Sequence, residues 1–75
     1  MRYRCHFIHK DSDERKEVVV ALTAPEIESV DSLRRHKGTE TADVSAAAYA
    51  MRHAYSEINP HAWRHVEAPT LIQNS

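Results

Sequence analysis

The chain has only one cysteine and one glycine among its 75 residues, and each shortage excludes a class of protein. Cys5 has no partner for an internal disulfide, so we expect a protein of a reducing compartment, with the cytoplasm as the default location. Because Gly38 is the only glycine, a glycine-rich phosphate-binding loop is excluded. Cys5 alternates with aromatic residues in an extended segment, which favours a small buried hydrophobe over a nucleophile.

Long apolar runs and an excess of one charge sign are also missing. The longest apolar run, residues 18–22, is far shorter than the roughly 20 residues that cross a bilayer. The first residues lack the apolar core of a signal peptide. Ten Lys and Arg against eleven Asp and Glu leave a net charge of -1. We therefore expect no membrane partner, and the chain as a whole lacks the long-range attraction that is typical of nucleic-acid binders.

The composition is otherwise that of a folded protein. Hydrophobic residues make up 41% of the chain and charged residues 28%, with both signs interspersed. Residues 1–75 have room for one small domain, which we expect to be modestly stable because small domains bury a limited share of their surface.

Two stretches near the start alternate in the way that predicts strands. In the first ten residues Tyr3, Cys5 and Phe7 fall on one side. Residues 17–23 are rich in β-branched side chains, and the polar residues 11–16 before them predict a connection, so the two strands are expected to pair as an antiparallel hairpin. The uncovered face of this hairpin is expected to carry Arg2, Arg4, His6, Ile8, Val19 and Ala21.

Residues 41–59 predict the main helix. Their apolar side chains recur at steps of three and four residues, so they form one stripe that is expected to cover the sheet. The members of this stripe are Val44, Ala47, Ala48, Met51, Ala54, Tyr55 and Ile58. Asn59-Pro60 is expected to end the helix, because proline cannot continue the hydrogen-bond ladder.

The segment between the hairpin and the main helix is open to two interpretations. Thr23 and Glu26 have the spacing of a capping box, and acidic residues early and basic residues late match a short helix over residues 24–37. Its apolar set is thin and several residues are weak helix formers, so an irregular loop is the alternative.

Residues 62–68 predict a returning third strand, and residues 70–75 a tail that can fray. The predicted fold is therefore α+β. A small antiparallel sheet of two or three strands, the hairpin plus the C-terminal strand, is covered on one face by one long helix.

Six histidines raise the question of a metal site. His61 and His65 have a spacing that brings two imidazoles together on a helix. They flank a segment that we interpret as extended, where four residues span about 13 Å, too far for one ion. We predict no metal, no cofactor, no catalytic residues and no small-molecule substrate, and hence a protein that is not an enzyme.

The favoured function is a protein-interaction module, either a homodimer or the partner of another protein. The back of the main helix carries small and aromatic residues of the kind that interfaces use, and the uncovered sheet face mixes arginines with apolar groups. The predicted interaction surface consists of Ala46, Tyr49, Ala50, His53, Arg2, Arg4, Ile8 and Val19.

Nucleic-acid binding is the alternative, and it is not favoured. It would use Arg2, Arg4, Arg34, Arg35 and Lys37. The exposed positions of the main helix are too poor in hydrogen-bond donors for reading the major groove. No family resemblance is evident. The predicted arrangement recurs in many small bacterial and phage-type proteins, and topology alone does not carry function.

Overall fold

The computed structural model describes residues 1–73 and confirms the predicted α+β class. In chain order the elements are β1 (Arg2–His9), β2 (Arg15–Ala21), α1 (Ala24–Lys37), α2 (Thr39–Tyr55), β3 (Trp63–His65) and β4 (Thr70–Gln73). The sheet has four antiparallel strands, because residues 70–73 of the predicted tail pair with β1. Residues 74 and 75 of that tail lie outside the described part of the chain.

β1 is the central strand of the sheet. β2 pairs along one side of it, and the other side is shared by β3, opposite residues 7–9, and β4, opposite residues 2–4. The connection over residues 66–69 interrupts this second side, and the register of β4 shifts between Arg2 and Tyr3. β1 is therefore hydrogen-bonded along both sides, whereas β2 has one free edge in the described structure.

The core side of the hairpin is the one that the sequence predicts. Tyr3, Cys5 and Phe7 are buried, with Val18, Val20 and Leu22 beside them. The register sets Tyr3 opposite Val20 and Cys5 opposite Val18. Directly opposed side chains on one face of a sheet contact each other, so the two strands form one continuous apolar surface.

Residues 24–37 form a helix, which decides between the two interpretations of this segment. The hydroxyl of Thr23 accepts a hydrogen bond from the N–H of Glu26, and the Glu26 carboxylate accepts one from the N–H of Thr23 at 2.8 Å. This capping box satisfies two donors that the first turn leaves free. Val30 is fully buried and anchors the helix in the core.

Gly38 alone joins the two helices. Its φ of 100° and ψ of 167° lie in a region that only glycine occupies without strain. Its N–H donates to the carbonyl of Leu33 and its carbonyl accepts from Ala42, so one residue ends α1 and begins α2. No side chain caps the start of α2, which begins two residues before and ends four residues before the bounds of the predicted 41–59.

The predicted core stripe of α2 is wrong in its rotation about the helix axis. The fully buried residues are Ala42, Ala46, Ala50 and Ala54, which follow one another at four-residue steps. Of the predicted stripe Ala54 is buried and Met51, Tyr55 and Ile58 are partly buried, but Val44 is 66% exposed and Ala48 is exposed as well.

The physical reason is the tight packing of the two helices and the sheet. α2 contacts β1, β2 and α1. A helix enclosed in this way approaches its neighbours most closely along one row, and the single methyl group of alanine permits a short distance there. Of the larger apolar residues in the predicted stripe, Met51 and Tyr55 lie beside that row and are partly buried, whereas Val44 lies on the opposite side of the helix and is exposed.

Candidate functional site

The back of α2 is not the docking surface that the sequence predicts. Ala46 and Ala50 have no exposed surface, because they pack inside this chain. Tyr49 is partly buried against the core. Nε2 of His53 lies 2.7 Å from Oε1 of Glu26, which ties it to α1. The small residues do permit close approach, but what they approach is the chain's own sheet and first helix.

The opposite face of the sheet carries no helix in the described structure, and we call it the open sheet face. The register places the alternate residues of each strand on it. They are Arg2, Arg4, His6 and Ile8 on β1, Arg15, Glu17, Val19 and Ala21 on β2, Arg64 on β3 and Thr70 on β4. Four of the predicted interaction residues, Arg2, Arg4, Ile8 and Val19, therefore share one surface.

Ile8 contributes less to this surface than the sequence predicts, because it is only 9% exposed. The register sets Arg15 opposite it on one side and Arg64 opposite it on the other. Opposed residues lie close enough for the aliphatic stems of both arginines to flank the isoleucine. Val19 is the larger exposed apolar group, at 48%.

Arginine dominates the charge of the open sheet face. Arg4 pairs with Glu17 across the β1–β2 ladder, and both side chains are about half exposed. Arg2, Arg15 and Arg64 are exposed and have no ion pair within residues 1–73. Glu67, in the connection after β3, approaches His6 at 3.7 Å from one side.

Arg15 and Arg64 do not belong to the predicted interaction surface. Arg15 falls in the stretch predicted as a connection, whereas β2 begins with it. Arg64 lies in a predicted strand, but its face depends on the pairing with β1. Arg15 lies an even number of positions from Val19, which places both on one side of an extended segment. The face of Arg64 follows only from a register that the fold supplies.

Charge is segregated in this molecule. Four of the ten Lys and Arg residues lie on the strands of the open sheet face with one of the eleven Asp and Glu residues, so six basic residues stand against ten acidic residues elsewhere. The net charge of -1 is therefore unevenly distributed: the open sheet face is positive and the remainder of the chain is negative. A positive surface of this kind attracts anionic groups at short range even when the whole chain is nearly neutral.

The five cations proposed for nucleic-acid binding do not form one surface. Arg2 and Arg4 lie on the open sheet face. Arg34 is on α1 and contacts Asp31 at 3.1 Å and Asp43 at 3.6 Å, so its charge is largely compensated. Arg35 and Lys37 are exposed near the end of α1, in the helix layer on the other side of the sheet.

The histidines are dispersed over separate contacts. His9 meets Trp63 edge to face, with ring centroids 5.0 Å apart. Nδ1 of His65 lies 3.0 Å from the hydroxyl of Tyr55. Among residues 1–73, no three His, Cys, Asp or Glu side chains come together as a metal site requires.

A shallow pocket of about 220 Å³ borders the open sheet face near the hairpin turn. Its lining residues are His6, Phe7, Arg15, Lys16 and Glu17. Pockets that enclose a drug-sized ligand occupy roughly 300–1,000 Å³. The depression is therefore too small to enclose such a ligand, and the surface around it is the better candidate site.

Two further features bear on the kind of protein this is. Burial raises the pKa of the Cys5 thiol, which holds this side chain in its unreactive protonated form. Neither of the described helices combines the length and the apolar character needed to traverse a bilayer.

Comparisons of the chain with protein-family models, with curated proteins and with solved structures find no match. The open sheet face is the candidate site because of its geometry and its charge.

Proposed function

We propose that this protein is a small, non-catalytic interaction module whose open sheet face binds an acidic segment of a protein partner. The observation that carries this proposal is the segregation of charge, with four arginines and one glutamate on the strands of the face that neither described helix covers. Arginine binds carboxylates through two parallel hydrogen bonds, which gives such a contact direction as well as attraction. The cytoplasm is the proposed location, since the free thiol of Cys5 suits a reducing compartment.

The apolar part of the face supports a protein partner. Val19 and Ala21 are exposed and lie opposite Arg4 and Arg2, so the surface offers apolar contact together with positive charge. Interfaces between proteins combine both, and arginine is enriched in them. None of the open-face residues defined above is Phe, Tyr or Trp, and these are the rings on which the bases of single-stranded nucleic acids stack.

A titration followed by NMR tests the proposal. The probe is a peptide that alternates Glu and Val, which presents carboxylates along one side of an extended chain. We expect it to shift the amide signals of β1, β2 and β3, and we expect added salt to weaken the binding because exposed charges are screened. The variant Arg2→Glu/Arg64→Glu should lose the interaction, whereas the matched variant Arg35→Glu/Lys37→Glu, on the helix side, should keep it.

Nucleic acid is the second candidate, favoured by the same four arginines because phosphate is also an arginine ligand. A DNA duplex and a single-stranded oligonucleotide serve as parallel probes. Tighter binding of either one than of the acidic peptide, lost in Arg2→Glu/Arg64→Glu, would replace the protein partner by nucleic acid. If no probe binds at low salt, both proposals are wrong.

A further inference from the structure

The free edge of β2 differs from the other edge of the sheet. β3 has three residues and β4 has four, Pro69 lies between them, and β4 carries a register shift. Short strands, proline and irregular pairing are the means by which proteins protect a strand edge. β2 has seven residues with no proline and an unbroken register, and its second half is the apolar run from Val18 to Ala21.

The hydrogen bonds to β1 show which backbone groups of β2 point outward. The N–H of Leu22 donates to Met1, and the carbonyl of Glu14 accepts from His9. Even-numbered residues of this segment therefore face β1, and the alternation of an antiparallel ladder turns the odd-numbered ones away from it. The outward residues are Arg15, Glu17, Val19 and Ala21. Their N–H and C=O groups have no partner within residues 1–73.

We infer that β2 pairs antiparallel with β2 of a second copy of this chain, which joins two four-stranded sheets into one. A twofold axis at Val18 would engage all four outward residues of each strand and form about eight backbone hydrogen bonds. In that register Arg15 lies opposite Ala21 of the partner subunit, and Glu17 lies opposite Val19 of the partner subunit.

The charges of β2 favour a second copy as the occupant. Basic and acidic side chains are confined to its first half and apolar ones to its second half, so antiparallel self-pairing sets each charged half beside an apolar half. No like charges lie directly opposite, an arrangement that would be destabilising. The two Glu17 carboxylates approach only diagonally, and each is already paired with Arg4 of its own subunit.

The pairing has a consequence for the open sheet face. An axis perpendicular to the sheet keeps both helix layers on one side, so the two open sheet faces become one surface with eight arginines. The dimer goes beyond the proposed binding of an acidic segment and does not depend on it, because it uses the strand edge and not the face.

Mass measured by light scattering over roughly 10 µM to roughly 1 mM tests the inference, since weak edge contacts populate dimers in that range. We expect the mass to rise from 8.6 kDa toward twice that value. Val19→Pro removes an outward N–H without touching the ladder to β1, and it should give the monomer mass at every concentration. Val19→Thr keeps the N–H and the branched side chain, and it should still dimerise.

Amide hydrogen exchange in the wild-type chain gives a readout that is independent of any variant. Exchange at Glu17, Val19 and Ala21 should slow as the concentration rises, while exchange at Val18 and Val20 should be slow throughout because these amides bond to β1. Arg2→Glu/Arg64→Glu should dimerise normally. The inference is overturned if the wild-type chain stays monomeric, if Val19→Pro still dimerises, or if Arg2→Glu/Arg64→Glu no longer dimerises. If Val19→Pro does not fold, amide exchange in the wild-type chain decides. Exchange at Glu17, Val19 and Ala21 that does not change with concentration would then overturn the inference.

Discussion

Nε2 of His53, near the end of α2, lies 2.7 Å from Oε1 of Glu26, in the first turn of α1. The same oxygen accepts the 2.8 Å hydrogen bond from the N–H of Thr23. One carboxylate therefore closes the start of α1 and ties the two helices together. The bond from the Thr23 backbone is the main reason why the pKa of Glu26 lies below its ordinary value, and His53 adds to the shift.

Glu26 should make stability depend on acidity. Because its folded-state pKa is lowered, the carboxylate adds stability above its ordinary pKa, near 4.5, and this contribution disappears as the pH falls through the folded value. Glu26→Gln keeps an oxygen acceptor but loses the charge. We expect it to cost about 1 kcal/mol at pH 7 and progressively less on acidification, as measured by urea unfolding.

Glu28→Gln is the matched control, since Glu28 is exposed on the same helix and makes no ion pair within residues 1–73. It should change the free energy of unfolding little at any pH. If the difference in unfolding free energy between the wild-type chain and Glu26→Gln stays constant from neutral to acidic pH, the charge of Glu26 does not contribute to stability as described.

The orientation of α2 about its own axis predicts that enlarging two alanines, two positions apart, will affect stability differently. Ala50 is fully buried in the closely packed row, so Ala50→Leu should destabilise the fold by about 1–3 kcal/mol through overpacking. Ala48 is exposed, and Ala48→Leu should be nearly neutral. Urea unfolding measures the free energy of unfolding of both variants. If the two substitutions lower it equally, α2 packs through another face.

Gly38 should resist replacement for a backbone reason alone. A Cβ built on Gly38 meets nothing within 4 Å, but φ is 100° there. Gly38→Ala should therefore cost about 1–3 kcal/mol. A synthetic chain with D-alanine at this position should lose much less stability, because a D-residue accommodates positive φ. If both alanines destabilise equally in thermal unfolding, the cause is steric and the connection differs from the one described.

Cys5 should react only slowly with thiol reagents in the folded protein. Its side chain has no exposed surface, and burial raises its pKa, so reaction requires the hairpin to open. We expect slow labelling in buffer and rapid labelling in denaturant, followed by absorbance or mass. In Val19→Cys the added thiol is exposed and should react at once, leaving one fast and one slow thiol. Rapid labelling of native Cys5 would show that the core side of β1 is accessible.

Local patterns in the sequence were sufficient for several elements of this structure. The alternation of Tyr3, Cys5 and Phe7 identified the buried side of β1, and the spacing of Thr23 and Glu26 indicated where α1 would begin if residues 24–37 were helical. Both depend on interactions between near neighbours in the chain, namely the pleat of a strand and the free donors of a first helical turn. Such interactions are present wherever the segment folds.

The arginine-rich open sheet face could be recognised only from the folded structure. Arg15 and Arg64 are 49 positions apart and share a surface only because both lie opposite Ile8 across β1. The segregation of charge that supports the proposed function is therefore invisible in the net charge. His53 and Glu26 are 27 positions apart in the chain, and no local sequence pattern predicts their contact.

The sequence by itself determined the class of fold, the hairpin and its core side, and the presence of one long helix, because each follows from periodicity and neighbouring hydrogen bonds. It left residues 24–37 open between a helix and a loop. Only the tertiary structure decided which face of α2 is buried. The alanine row from Ala42 to Ala54 is inside because α2 must lie close to the sheet and to α1 at once. That distance is a property of three packed elements and selects small side chains over more hydrophobic ones.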